Sequence, residues 1–177
     1  MTRAGFLLAA ALLLAGCASV PTPGLTPGPG ELLSGRIAVR AEPFEPGAPV
    51  RASSAAFELR GDADAGELRL TSPLGTVLAV ARWRGDRATL EARGEVWHYD
   101  TLQALGREML GEDIPVAALF DWLRARPWGG SPAAAWSDGR GFDQLGWRVD
   151  LARAPDGLVV ATRATPPLVT VRARVDR

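Results

Sequence analysis

The sequence predicts an α+β fold, a curved antiparallel β-sheet with a pair of helices covering its apolar face. Two observations carry this. Period-two alternation of aliphatic residues with arginines fills the chain before residue 100 and after residue 140. Between them the apolar period changes to that of an amphipathic helix, twice. Strands in runs around one helical pair, in place of a regular strand–helix repeat, indicate an antiparallel sheet with one wet face.

The strands are read in order. In "GRIAVRA", Ile37 and Val39 point one way and Arg36 and Arg40 the other. "AAFELR" sets Phe57 and Leu59 inward against Glu58 and Arg60, and "RATLEAR" does the same with Ala88, Leu90 and Ala92. Near the end, "GWRVDLAR" aligns Trp147, Val149 and Leu151, and "LVTVRARVDR" aligns Val169, Val171, Ala173 and Val175. "RGDADAGE" and "ARAPDGL" supply the Gly and Asp that hairpin turns use, and "AEPFEPGAPVR" reads as a longer hairpin connection.

The helices follow from spacing. Asp100 with Gln103 three residues on has the form of a capping box. Leu102, Leu105, Met109 and Leu110 then share a face and Gly111 stops the helix. In "DIPVAALFDWLRARP", Val116, Leu119, Phe120 and Leu123 fall at i, i+3, i+4 and i+7. Arg124 and Arg126 suit the negative helix end, and Pro127 closes it.

The first residues set a location. "MTRAGFLLAAALLLAGC" has a basic start and an apolar run far short of the roughly 20 residues that span a bilayer as a helix. It reads as a signal peptide over residues 1–16. Its Leu-Ala-Gly-Cys ending resembles a bacterial lipobox, with Cys17 carrying diacylglyceryl and N-acyl lipid. Residues 17–31, rich in proline and glycine, read as a tether that builds no core. Residues 32–177 form the one domain. Cleavage before Cys17 leaves 177 − 16 = 161 residues.

Composition excludes several functions. Twenty basic residues, all arginine, balance twenty acidic ones, so nothing points to nucleic acid. Cys17 is the only cysteine and His98 the only histidine. "VWHYD" offers no triad arrangement, no cluster has metal-ligand spacing, and "PWGGS" and "SDGRG" lack a phosphate-loop context. The expectation is a protein without catalysis and without a cofactor.

One turn is unusual. "TSPLGTV" has ordinary turn chemistry at Pro73 and Gly75, yet holds Leu74 at the tip, where a polar residue is better solvated.

Together, "SGRIAVR", "GELRLTSPLG", "LGEDIPVAALFDWLRARP" and "FDQLGWRV" resemble the LolB family of outer-membrane lipoprotein receptors, over Gly35 to Val175. The resemblance implies an open, half-closed β-barrel with a helical lid over an apolar cavity. It implies receipt of triacylated lipoproteins from a soluble LolA-like carrier and their placement in the outer membrane of a Gram-negative bacterium, with the domain facing the periplasm. Ala18 after Cys17, in place of aspartate, fits that address. Phe57, Leu59, Leu70, Leu90, Leu119 and Leu123 become candidates for the cavity and lid. Pro73, Leu74 and Gly75 become a loop that touches outer-membrane lipid, and Trp128 and Trp136 further candidates for headgroup contact.

Energetics make such a receptor intelligible. A triacyl anchor exposes on the order of 45 methylenes, at about 0.8 kcal/mol each, or roughly 35 kcal/mol in water. The protein's task is to replace lipid during transfer. The alternative is an envelope lipoprotein that transports nothing and uses its sheet as a protein-binding scaffold; a solidly packed sheet favours it.

Overall fold

Arginine–aliphatic alternation becomes a single sheet whose inner face is dry. The computed structural model describes residues 32–43, 45 and 47–176. The signal segment, Cys17 and the tether lie outside them. The strands are β1 (Leu33–Glu42), β2 (Arg51–Gly61), β3 (Ala65–Thr71), β4 (Val77–Arg84), β5 (Arg87–Ala92) and β6 (Glu95–Tyr99). Helices α1 (Leu102–Leu110) and α2 (Val116–Leu123) follow, then β7 (Ala133–Ala135), β8 (Gly141–Gln144), β9 (Trp147–Asp150), β10 (Leu158–Arg163) and β11 (Leu168–Val175).

All pairings are antiparallel, in the order β6-β5-β4-β3-β2-β1-β11-β10-β9-β8-β7. The end strands β6 and β7 do not pair, so the barrel stays open. The first and last long strands close on each other, with Ile37 opposite Ala173 and Val39 opposite Val171. Registers set the aliphatic partners in rows: Leu59 stands opposite Leu33 and Leu68. Residues 43–50 bridge β1 and β2, the long hairpin connection expected.

The helices fill the concave side. Phe120 of α2 stacks on Trp83 of β4 with centroids 5.0 Å apart, and Trp122 meets Trp147 of β9 at 6.0 Å. One helix thus ties two distant strands. Val116, Leu119, Phe120 and Leu123 are all buried, as the stripe predicts. Gly106 lets α2 approach: a Cβ there would stand 2.1 Å from a Val116 methyl. Gly66 in β3 likewise makes room for the Trp83 ring, 2.4 Å from where its Cβ would sit.

Three local expectations need correction. The cap of α1 is Thr101, not Asp100: its hydroxyl accepts from the Ala104 N–H at 3.0 Å. Gln103 does not reach back; its amide donates to the Asp113 carboxylate and to the Ile114 carbonyl. Helix α2 ends at Leu123, before Pro127, because Arg124 bonds the Phe120 carbonyl at 2.9 Å and the Gly61 carbonyl at 3.0 Å, and Ala125 takes φ 58°. The Gly/Ser/Ala-rich loop between Trp128 and Trp136 contains an edge strand, β7. The Gly111 stop holds: its φ is 72° and its N–H bonds the Arg107 carbonyl.

Candidate functional site

An open cavity of about 590 Å³ lies between the inner face of β1–β6 and helix α1. Its walls alternate in from several strands: Ile37 and Val39 from β1, Leu70 from β3, Ala79 from β4 and Leu90 from β5. Met109 and Leu110 of α1 roof it. Polar groups also line it: Ser53 and Ser54 on β2, Arg93 at the β5–β6 turn, Tyr99 on β6, and Glu108 on α1. Its volume is that of a typical small-ligand site, about 300–1,000 Å³.

Burial pushes the Tyr99 phenol above its ordinary value, and the Glu108 carboxylate beside it acts the same way. The site therefore offers neutral Tyr99 at neutral pH.

The α1–α2 connection is fastened to the sheet. Arg51 of β2 donates to the Glu112 carboxylate at 2.6 Å; Glu112 is 8% exposed. Arg163 of β10 donates to the Asp113 carbonyl at 3.1 Å. Removing Arg51 strands a nearly buried carboxylate, which is costlier than the pair is favourable.

The sequence-predicted lining residues divide. Leu70 and Leu90 line the cavity. Phe57, Leu59 and Leu119 are buried in the core and are not among its lining residues, and Leu123 borders a separate, smaller cavity of about 290 Å³ with Leu33 and Val159. The helix over the main cavity is α1. Periodicity identifies which face of a helix is apolar and leaves open what that face meets.

The Pro73–Gly75 turn joins β3 and β4, whose Leu70 and Leu78 line the cavity. Leu74 is 94% exposed. Three hydrogen bonds hold it there: the Gly75 N–H to the Ser72 carbonyl (2.9 Å), the Ser72 N–H to the Thr76 carbonyl (2.8 Å), and the Thr76 N–H to the Ser72 hydroxyl (3.1 Å). Gly75, at φ 85°, supplies the left-handed residue the turn requires. A large apolar side chain is thus presented to solvent on a rigid support.

The tryptophans are distributed otherwise than expected. Trp128 is half-buried and pinned by Gln144, and Trp136 is half-buried beneath the Arg148 guanidinium, 4.9 Å from the ring. Trp97, on edge strand β6, is the one at the mouth, 37% exposed and lining the cavity. Its signal is "GEVWHY", a strand following a glycine turn in which Val96 and Trp97 are adjacent large apolar residues, so that one of them must face water. His98 beside it is exposed on the same strand.

Known proteins share this chain's pattern. Residues 32–175 match the family model described as outer membrane lipoprotein LolB. The chain is 40% identical over 164 residues to the outer-membrane lipoprotein LolB of Bordetella petrii, covering 87% of this chain and 81% of that protein. It is 30% identical over 162 residues to that of Chromobacterium violaceum, covering 88% and 86%. With that of Bordetella pertussis the identity is 37% over 157 residues, covering 84% and 76%.

Proposed function

The chain belongs to the LolB family of outer-membrane lipoproteins, and from that premise we propose that it receives acylated lipoproteins from a periplasmic LolA-like carrier and inserts them into the outer membrane. The domain is held there by diacylglyceryl and N-acyl lipid on Cys17 and faces the periplasm. The cavity under α1 takes acyl chain, and Leu74 meets the bilayer when the client is released. No cofactor takes part, and the trafficking role needs no catalytic step.

The observation that supports this most is an open cavity with aliphatic side chains from four strands and α1, joined through β3 and β4 to a rigidly supported, solvent-exposed leucine. A cavity of about 590 Å³ suits part of a triacyl anchor. Accepting all three chains calls for α1 to move outward, and the Arg51–Glu112 and Arg163–Asp113 contacts are those such a movement strains.

The test is transfer. The lipidated protein in liposomes is mixed with carrier loaded with an acylated lipoprotein, and the acylated protein is followed by flotation. Appearance of client in the liposome fraction, dependent on this protein, is the expected result. If the client stays on the carrier, the scaffold reading replaces the receptor.

A further inference from the structure

Strand β2 outruns its neighbour. It pairs with β1 from Arg51, while β3 joins it only from Ala56 onward, and both registers run without a break. At the far end of β2 the Asp62 N–H donates to the Ala65 carbonyl at 3.0 Å, toward β3. Peptide groups alternate sides along a paired strand, so the even-numbered residues of β2 face β3 and the odd-numbered ones face β1. Ala52 and Ser54 therefore each direct an N–H and a C=O to a side where, among the described residues, no strand stands.

Pro73 accounts for the gap. Continued past Thr71, which stands opposite Ala56, β3 would set residue 73 against Ser54. Proline has no N–H to give the Ser54 carbonyl. The chain turns there instead, and the Ser72 N–H bonds the Thr76 carbonyl at 2.8 Å. The open edge is also bare: residues 52–56 read Ala-Ser-Ser-Ala-Ala, where a strand ordinarily prefers branched or aromatic side chains. Residues 51–54 are exposed, and Ser53, Ser54 and Ala55 line the main cavity.

We propose that this edge is a peptide subsite: it takes the first residues of a client, those directly behind the acylated cysteine, as an added strand antiparallel to β2. The inference rests on the receptor reading above and deepens it. Three features select that occupant. The edge shares a wall with the cavity, so acyl chains held under α1 bring the following residues to it. The antiparallel direction starts the peptide beside Ser54, at the cavity wall, and carries it outward past Ala52. Pairing through the main chain reads no side chain, and the small residues of the edge add no pocket to select one. That suits clients defined by their acylated cysteine.

The experiment uses the mature lipidated chain in liposomes, with carrier loaded with synthetic lipopeptides. Each lipopeptide is an S-diacylglyceryl, N-acyl cysteine followed by a short polar peptide holding one free cysteine at a chosen place. Cys17 is the only cysteine of the chain and carries lipid in the reading above, so Ser53→Cys and Ser54→Cys each introduce a single thiol. Under mild oxidation, Ser53→Cys is expected to trap one client position severalfold above its two neighbours, whose side chains point to the opposite face. Ser54→Cys is expected to trap the position one nearer the acylated cysteine, the inverse step of antiparallel pairing. Ser54→Pro removes an edge donor and leaves the bonds to β1 in place, and is expected to slow lipopeptide transfer severalfold. The trapping pattern keeps the test decisive if that variant folds poorly. Transfer by the wild-type protein with trapping absent, spread evenly or stepping the other way overturns the subsite and leaves the proposed function standing. A folded Ser54→Pro protein that transfers at the wild-type rate also overturns it. No transfer by the wild-type protein removes the proposed function, and the subsite with it.

Discussion

The indole N–H of Trp122 donates to the side-chain oxygen of Gln144 at 2.9 Å, and both residues are buried. The same oxygen accepts from the Trp128 N–H at 3.0 Å, and the Gln144 amide donates to the Trp128 and Ser131 carbonyls, each at 2.7 Å. One glutamine on β8 thereby fixes α2 and the chain that leaves it. Every donor and acceptor in the cluster is satisfied, which is what makes a buried amide tolerable. Gln144→Leu strands the Trp122 donor and several backbone groups, and is expected to destabilise the fold by about 2–4 kcal/mol. Urea unfolding measures it. In a double-mutant cycle with Trp122→Phe, the pair costs less than the sum, because the stranded donor is gone.

Helix α1 roofs the cavity, so Met109 and not Leu119 is the residue at which an introduced charge reports on acyl binding. Met109→Glu, at a half-buried lining position, is expected to fold and to lose most acylated-client uptake, because acyl chains must desolvate the carboxylate. Leu119→Ala creates a void in the packed core and costs about 2–5 kcal/mol. The remaining folded fraction should take up client normally. Thermal unfolding and a client pull-down on both variants separate the two effects. Equal uptake by wild type and Met109→Glu removes the cavity from the binding step.

Burying one leucine in a membrane is worth about 1.5–3 kcal/mol, a small part of what three acyl chains contribute. On the proposed function, Leu74 serves delivery and not anchoring. Leu74→Glu is expected to leave stability and receipt of client near wild type and to slow transfer into liposomes about 10- to 100-fold. A time course of client flotation gives the rate.

Asp113 links the α1–α2 turn to α1. The Gln103 amide hydrogen-bonded to its carboxylate, with the Arg107 guanidinium at 3.3 Å, holds its pKa below the ordinary 3.8. A depressed carboxylate contributes stability that is fully present above its unfolded pKa and is lost as pH falls through the folded one. The fold is thus expected to lose part of its stability as pH drops from above 3.8 through the lowered value. Asp113→Asn removes that carboxylate's share of the pH dependence. Denaturant midpoints measured down this range for both proteins test the difference. The effect is modest, since Asp113 is largely solvated.

Much of this architecture was legible because its signals are local. Arginine–aliphatic alternation in residues 36–40 and 169–175 named the inner residues of β1 and β11 correctly. The Val116–Leu123 stripe named the buried face of α2. What escaped depends on distant partners. Gly66 sits beside turn-forming residues, yet its place is set by the Trp83 ring across the sheet. Pro127 marks where α2 cannot continue, but the helix stops earlier because Arg124 finds the Gly61 carbonyl of β2. The division of lining between α1 and α2 was likewise invisible, as both stripes are apolar. Leu74 was legible for the opposite reason: a tight turn fixes exposure within five residues.

The registers around β2 have a consequence for anything entering the barrel. β3 pairs with β2 only from Ala56 to Gly61, whereas β1 pairs with β2 from Arg51. The stretch 51–55 therefore turns peptide N–H and C=O groups toward the β3 side without a neighbouring strand to take them. Ser53 and Ser54 of that stretch border the cavity, and Leu78 and Trp97 border it from the other side. The doorway has one lip of hydrogen-bonding peptide and one of hydrocarbon. A molecule with a polar linkage and a greasy tail meets an entrance that already distinguishes its two ends.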